Sequence, residues 1–89
     1  MKINLGARVL LINSSTNLSK DGTKEYYNVA VEQNGQAGTL SCTDEVYKFL
    51  QSQENHCRFK FLDLHMVYDD QYRYLRVENA TISKNQNMD

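Results

Sequence analysis

Hydrophobic and polar residues alternate along most of this chain with the two-residue period of β-strands. The apolar, β-branched run Arg8–Asn13 predicts the first strand. In Lys24–Gln33 and again in Gln36–Cys42, apolar residues return at every second position. Because successive side chains of a strand point to opposite faces, the pattern predicts strands with one buried and one solvated face. Asp21-Gly22 and Asn34-Gly35 predict the turns that separate these strands.

One segment has the spacing of a helix instead, and it follows the third strand. Thr43 suits the N-cap position, and Val46, Phe49 and Leu50 fall at i, i+3 and i+4 on one stripe. The pattern predicts a short amphipathic helix over Asp44–Gln53. A helix of this length at this place is expected to cover one end of a closed sheet.

Two further strand-like runs follow the helix. Arg58–Tyr68 alternates through its phenylalanines and then changes register, which predicts a bulge near Leu62-Asp63. In Tyr72–Ile82, Leu75 and Val77 alternate with Tyr74, Arg76 and Glu78, which predicts the fifth strand. The polar remainder, Ser83–Asp89, has no pattern and is expected to be a flexible C-terminal tail, so residues 1–82 are expected to form a single domain.

The order of these elements, β-β-β-α-β-β, is the topology of the OB-fold, a five-stranded Greek-key barrel. The predicted fold class is therefore all-β with one short helix. A chain of 89 residues has room for one modest core. The residues expected to be buried together are Val29, Val31, Leu40, Phe49, Phe59, Phe61, Leu75 and Val77.

Several classes of protein are disfavoured by composition. The longest apolar run, Val9–Ile12, is far too short for a membrane span, and the first residues lack the apolar stretch of a secretory signal, so no membrane association and a cytoplasmic location are expected. Cys42 and Cys57 are not at metal-ligand spacing, so they are interpreted as reduced structural thiols. No metal and no cofactor are expected.

No catalytic motif is visible, and the protein is not expected to be an enzyme. Asp69-Asp70 lies in a predicted turn, where aspartate is favoured for backbone reasons. The two cysteines have no glycine-rich segment beside them that would stabilise an oxyanion, and His56 and His65 are given no role.

The formal net charge of −1 disfavours tight sequence-blind binding to duplex DNA, which depends on many phosphate contacts. Locally, however, basic and aromatic residues cluster at the turn before the second strand and at the start of the fifth. Proteins that bind single-stranded nucleic acid combine aromatic rings, which stack on bases, with basic side chains, which contact phosphates. The candidate binding residues are Lys20, Lys24, Tyr26, Tyr72, Arg73, Tyr74 and Arg76.

The hairpin run Lys20-Asp21-Gly22-Thr23-Lys24-Glu25-Tyr26-Tyr27 and the later Leu75-Arg76-Val77 carry a family resemblance. With them the chain resembles the small single-stranded DNA-binding proteins of phages and mobile elements, among them the helix-destabilising proteins of filamentous phages, which are OB-fold dimers. The resemblance implies an accessory role in DNA replication or transfer. The chain departs from the filamentous-phage type because it has a predicted helix and contains no proline.

The sequence therefore predicts a non-catalytic protein that binds single-stranded nucleic acid, with DNA favoured and RNA left open. The main alternative is a protein-interaction barrel that uses the same exposed tyrosines and arginines as a hot spot. A homodimer is also left open.

Overall fold

The computed structural model describes residues 1–87, which form five strands, one α-helix and one short 3₁₀ segment. The predicted order of three strands, a helix and two strands is confirmed. In chain order the elements are β1 (Lys2–Leu18), β2 (Glu25–Gln33), β3 (Gln36–Cys42), α1 (Asp44–Ser52), the 3₁₀ segment (Glu54–Cys57), β4 (Phe61–Asp69) and β5 (Tyr74–Ile82).

The five strands make one sheet that closes into a ring in the order β1-β2-β3-β5-β4. The long first strand closes the ring because it has two partners: Lys2–Leu10 pairs with β4, and Leu10–Leu18 pairs with β2. Between these halves Ile12 is an extra residue in the ladder with β2, and such a bulge bends a strand. The bend allows one strand to serve two neighbours.

Within residues 1–87, one junction between strands of the ring is parallel, and it is short. β3 and β5 pair through Ser41 with Arg76 and through Cys42 with Val77, and the remaining junctions are antiparallel. Because the ladder covers only two residue pairs, the backbones of β3 and β5 are joined over a small part of their length. This junction lies next to the candidate site described below.

β1 extends well beyond the predicted Arg8–Asn13, to Lys2 at one end and Leu18 at the other. Of the added residues, Ile3, Leu5 and Ala7 fall at every second position but Ile3 and Leu5 are exposed, and residues 15–18 are exposed and mostly polar. They belong to the strand because their backbones pair with β2 and β4, and because Asn28 donates a side-chain hydrogen bond to Asn17 across the ladder at 2.7 Å.

The helix is where the sequence predicts it, and it packs against β1, β2 and β5. Thr43 is the N-cap, and its hydroxyl oxygen accepts a hydrogen bond from the backbone N–H of Val46 at 3.2 Å. Val46 and Leu50 are buried in the core, whereas Phe49, the third residue of the predicted stripe, remains 36% exposed. No helix within residues 1–87 is long and apolar enough to cross a membrane.

The interior of the ring is filled by aliphatic residues rather than by aromatic ones. Of the predicted core, Val29, Val31 and Val77 are buried, and Leu40 and Leu75 pack against the core while partly exposed. The other buried apolar residues are Val9, Leu11, Cys42, Val46, Leu50, Cys57, Leu62, Leu64, Met66 and Ala80.

The predicted start of the fourth strand and the predicted burial of its phenylalanines are wrong. β4 begins at Phe61 rather than at Arg58. Phe59 is 63% exposed and has a left-handed φ of 65°, and Phe61 lies outside the core with the Arg8 guanidinium 4.0 Å from its ring centre. The chain leaves the helix through several left-handed residues, which turn it before the strand can start.

The inward face of β4 is formed by Leu62, Leu64 and Met66. The register change in the sequence therefore marks the end of the turn rather than a bulge near Leu62-Asp63. The irregularity of this ladder lies further along, between His65 and Met66, where β5 contains one extra residue, Glu78.

Residues 83–87 lie against the outside of the ring. Ser83 is buried, the Gln86 side chain accepts a hydrogen bond from the Phe61 N–H at 2.8 Å, and the Arg8 guanidinium donates to the carbonyls of Asn85 and Asn87 at 2.7 and 2.6 Å. The flexibility predicted for residues 83–89 stays a prediction, because residues 88 and 89 lie outside the described part of the chain.

Candidate nucleic-acid interface

A cavity of about 310 Å³ opens where β2 begins and β3 ends, beside the start of β5. It contains three of the predicted binding residues, Tyr26, Tyr74 and Arg76. We call it the tyrosine groove. Its full lining consists of Glu25, Tyr26, Tyr27, Ser41, Cys42, Thr43, Asp44, Tyr74 and Arg76.

Strand pairing brings these residues together from distant parts of the sequence. Ser41 pairs with Asn28 on one side and with Arg76 on the other, so the three lie in one row across β2, β3 and β5. Tyr26 and Tyr74 lie two positions before Asn28 and Arg76, and therefore share the same outer face. The short parallel junction thus places two tyrosines and an arginine on one surface.

Both tyrosine rings are accessible for stacking. Tyr26 is 49% exposed and Tyr74 is 43% exposed. The guanidinium carbon of Arg76 lies 5.9 Å from the centre of the Tyr74 ring, within the range of a cation–π contact. An aromatic ring partly open to solvent beside a cation is the arrangement on which a base stacks and a phosphate is neutralised.

Arg76 is itself held in place by a neighbour on its own strand. Its Nη2 donates to Glu78 Oε1 at 2.9 Å, and this hydrogen bond raises the pKa of Arg76 further above its ordinary value. The guanidinium therefore stays charged, but Glu78 balances part of its field.

The loop Ser19–Lys24 carries two of the predicted cations and is organised by Asp21. The carboxylate accepts hydrogen bonds from the Ser19 hydroxyl at 2.6 Å and from the N–H and hydroxyl of Thr23 at 3.1 and 2.8 Å. These bonds lower the pKa of Asp21 to about 2, so the loop keeps its anchor at neutral pH. Lys20 and Lys24 are exposed on this loop, and Lys24 directly precedes the groove residue Glu25.

Tyr72 and Arg73, like Lys20 and Lys24, do not line the groove. Tyr72 and Arg73 lie exposed in the β4–β5 turn, where Arg73 has a left-handed φ of 52°. The turn is fixed by Asp69, whose carboxylate accepts from the N–H groups of Gln71 and Tyr72 at 3.0 and 3.4 Å. Asp69 therefore has the turn role that the sequence indicates.

Six of the nine groove residues are not among the predicted binding residues, and three of these six, Tyr27, Glu25 and Asp44, add a phenol and two carboxyl groups. Tyr27 has the same parity as the buried residues of β2 but is only half-buried. The centre of its ring lies 5.2 Å from the centre of the Tyr47 ring on the helix. The Tyr27 hydroxyl donates to Glu25 Oε1 at 2.8 Å, which raises the pKa of Tyr27. Asp44 is the first residue of α1, so its place in the groove follows from tertiary structure alone.

The charges of the groove are separated by position. Among the described residues, the wall carries the carboxylates of Glu25 and Asp44 and the guanidinium of Arg76. Lys20 and Lys24 lie outside it, on the loop that leads into Glu25. The inside of the groove is therefore acidic on balance, while one approach to it is basic.

Cys42 also reaches the groove wall, but it is not a reactive thiol. Burial raises its pKa to about 11, so the thiolate form is scarce at neutral pH. Cys57 is buried as well and its pKa is raised for the same reason. Both cysteines are free, in agreement with the interpretation of structural thiols.

A second basic-aromatic surface lies away from the groove, at the entrance to β4. There Arg58 lies 5.4 Å from the Phe59 ring centre and Arg8 lies over Phe61. None of these four side chains lines the tyrosine groove. The Arg58–Phe59 pair is thus a natural control for the Arg76–Tyr74 pair.

Comparison of the chain with known proteins finds no match, either to a protein-family model or to a curated protein. The basis for a function is therefore the fold and the chemistry of the groove.

Proposed function

We propose that this protein is an OB-fold protein that binds single-stranded nucleic acid, with DNA as the favoured ligand, in the tyrosine groove. The strand order of the ring, the bent first strand with two partners and the helix between β3 and β4 support the assignment of the fold. In OB-folds the face formed by strands 2 and 3, with the loops 1–2 and 4–5, binds oligonucleotides. The groove opens beside that face.

The observation that carries the proposal is the joint placement of Tyr26, Tyr74 and Arg76 on one outer face. Each ring has an exposed surface on which a base can stack, and stacking is worth about 1–3 kcal/mol per base. Lys24 and Lys20, which are exposed on the adjoining loop, are the cations that we propose contact phosphates. A duplex keeps its bases stacked inside the helix, so it offers nothing to these rings.

The charge of the protein determines how strongly the affinity should depend on salt. With a net charge of −1 and Arg76 paired to Glu78, few phosphate contacts are available, so affinity depends more on stacking than on counterion release. The resemblance to phage and mobile-element proteins supports a non-catalytic accessory role in replication or transfer.

The alternative is a protein partner at the same surface. Exposed tyrosine and arginine are frequent in protein-binding hot spots, and the acidic groove wall suits a basic partner. The two functions differ in what the isolated protein binds.

Fluorescence anisotropy with a labelled single strand of mixed sequence and the matching duplex, each at two salt concentrations, tests the proposal. We expect micromolar or tighter binding to the single strand in low salt, weaker binding to the duplex, and a shallow salt slope. Equal affinity for the two forms, or no single-strand binding at tens of micromolar protein, would contradict the proposal and favour a protein partner.

A further inference from the structure

We infer that the tyrosine groove selects the base it binds, favouring guanine and disfavouring thymine, because its wall presents carboxylate oxygens to the edge of a stacked base. The inference rests on the proposed function and concerns the same site. It identifies the ligand as single strands that contain guanine.

The first observation is that one wall carboxylate is fixed in position. Glu25 lies one residue before Tyr26, and its Oε1 accepts a hydrogen bond from the Tyr27 hydroxyl at 2.8 Å. The Tyr27 ring is in turn held by Tyr47, at 5.2 Å between ring centres. An ionised carboxylate has about four acceptor sites on its two oxygens, so the bond from Tyr27 fixes Glu25 and still leaves both oxygens able to accept from a ligand.

The second observation is that acceptors outnumber charged donors within the groove. Asp44 adds a second carboxylate from the start of α1, in an exposed pair with Lys48 at 3.8 Å, and the one cation of the lining, Arg76, is bonded to Glu78. Within residues 1–87, Glu25 therefore remains as the wall charge that no cation balances. Phosphates are repelled from such a wall, whereas the lysines of the adjoining loop attract them. The backbone of a bound strand is therefore expected to follow the basic loop while a base enters the groove.

The third observation is the size of the cavity. About 310 Å³ is at the lower end of the range for ligand clefts, roughly 300–1,000 Å³, and suits one nucleoside rather than several. Selection is thus expected at a single position of the strand.

Base chemistry then decides the order of preference. The Watson–Crick edge of guanine presents two adjacent donors, N1–H and the N2 amino group, which match the two oxygens of a carboxylate. Cytosine and adenine each present one amino group, as in the pairing of Glu or Asp with cytosine N4. Thymine presents a single N–H between two carbonyl oxygens, and those oxygens face the carboxylates unfavourably.

Competition binding with oligothymidylate 12-mers that carry guanine, cytosine, adenine or thymine at one central position tests the inference. We expect the guanine oligonucleotide to bind about tenfold more tightly than the all-thymine one, the scale of one good bidentate contact. Glu25→Gln should reduce this ratio to below about twofold, because the acceptor pair is lost. Tyr27→Phe, which frees Glu25 from its anchor, should reduce the ratio in part.

Glu32→Gln is the matched control, because it removes the same charge from the same strand outside the groove. It should leave the guanine ratio unchanged. Single-strand binding with no preference among the four oligonucleotides, or a preference that survives Glu25→Gln in a folded variant, would overturn the inference and leave the proposed function standing. Absence of binding to all four would overturn both.

Discussion

Leu62→Ala is expected to lower the free energy of unfolding by about 2–5 kcal/mol, the usual cost of truncating a fully buried leucine. Leu62 has no exposed surface and is the first inward residue of β4. It pairs with Val9 on β1 and with Ile82 on β5, so the cavity left by truncation lies where three strands meet. Urea denaturation followed by circular dichroism measures the change. For a domain of this size the larger value would leave little net stability.

Phe59→Ala is the comparison that makes this prediction specific to the register of β4. Phe59 is 63% exposed, so its loss should cost less than about 1 kcal/mol. Phe61→Ala should cost about 1 kcal/mol, mainly through loss of the contact with Arg8. A ranking in which Phe59 or Phe61 exceeds Leu62 would contradict the observed register and restore the one expected from the phenylalanine pattern.

Tyr26→Ala and Tyr74→Ala are each expected to weaken single-strand binding by about 1–3 kcal/mol, or roughly 5- to 150-fold. Each ring is exposed enough that its removal leaves the core intact, so the loss reports on stacking. The salt slope of affinity should be unchanged, because no cation is removed. Anisotropy titrations at several salt concentrations measure both quantities.

Two variants separate stacking from charge and from general damage. Phe59→Ala removes an exposed ring beside Arg58, the same kind of pair as Tyr74 with Arg76, and should leave binding unchanged. Lys24→Ala should lower the salt slope by about 0.7, the value for one phosphate contact on a single strand. Losses as large for Phe59→Ala as for the tyrosine variants would mean that the tyrosine groove is not the binding surface.

The order of strands and the position of the helix could be predicted from sequence because each rests on local signals. Period-2 alternation identifies β2 and β3, the dipeptides Asp21-Gly22 and Asn34-Gly35 mark their turns, and Thr43 marks the helix start. These features depend on residues close together in the chain. They remain visible without knowledge of the partner strands.

The register of β4 could not be predicted in this way because two patterns overlap. Phe59 and Phe61 alternate with Arg58 and Lys60 and so suggest a strand with odd-numbered residues inward. Leu62, Leu64 and Met66, which do face inward, are at even positions. The left-handed conformations at Asn55, His56 and Cys57 rotate the chain so that the phenylalanines face outward. Nothing in a hydrophobicity pattern signals such a turn.

The candidate site could be predicted only in part, because its residues meet through strand pairing that the sequence does not show. Tyr26, Tyr74 and Arg76 are recognisable from sequence as outward residues of strands, but their meeting depends on the parallel junction of β3 with β5. Tyr72 and Arg73 adjoin them in sequence yet lie in the turn, outside the groove. Glu25 and Asp44 contribute carboxylates to the wall, but in the sequence they look like an ordinary strand residue and an ordinary first-turn helix residue.

The most direct test of the central claim is to locate the ligand on the protein by NMR. Amide shifts in a ¹⁵N–¹H correlation spectrum, followed during titration with a guanine-containing 12-mer, should change most at Tyr26, Ser41, Tyr74 and Arg76 and little at Arg8, Phe59 and Phe61. Changes centred on the Arg8–Phe61 side, with the groove unaffected, would contradict the assignment of the tyrosine groove as the binding surface.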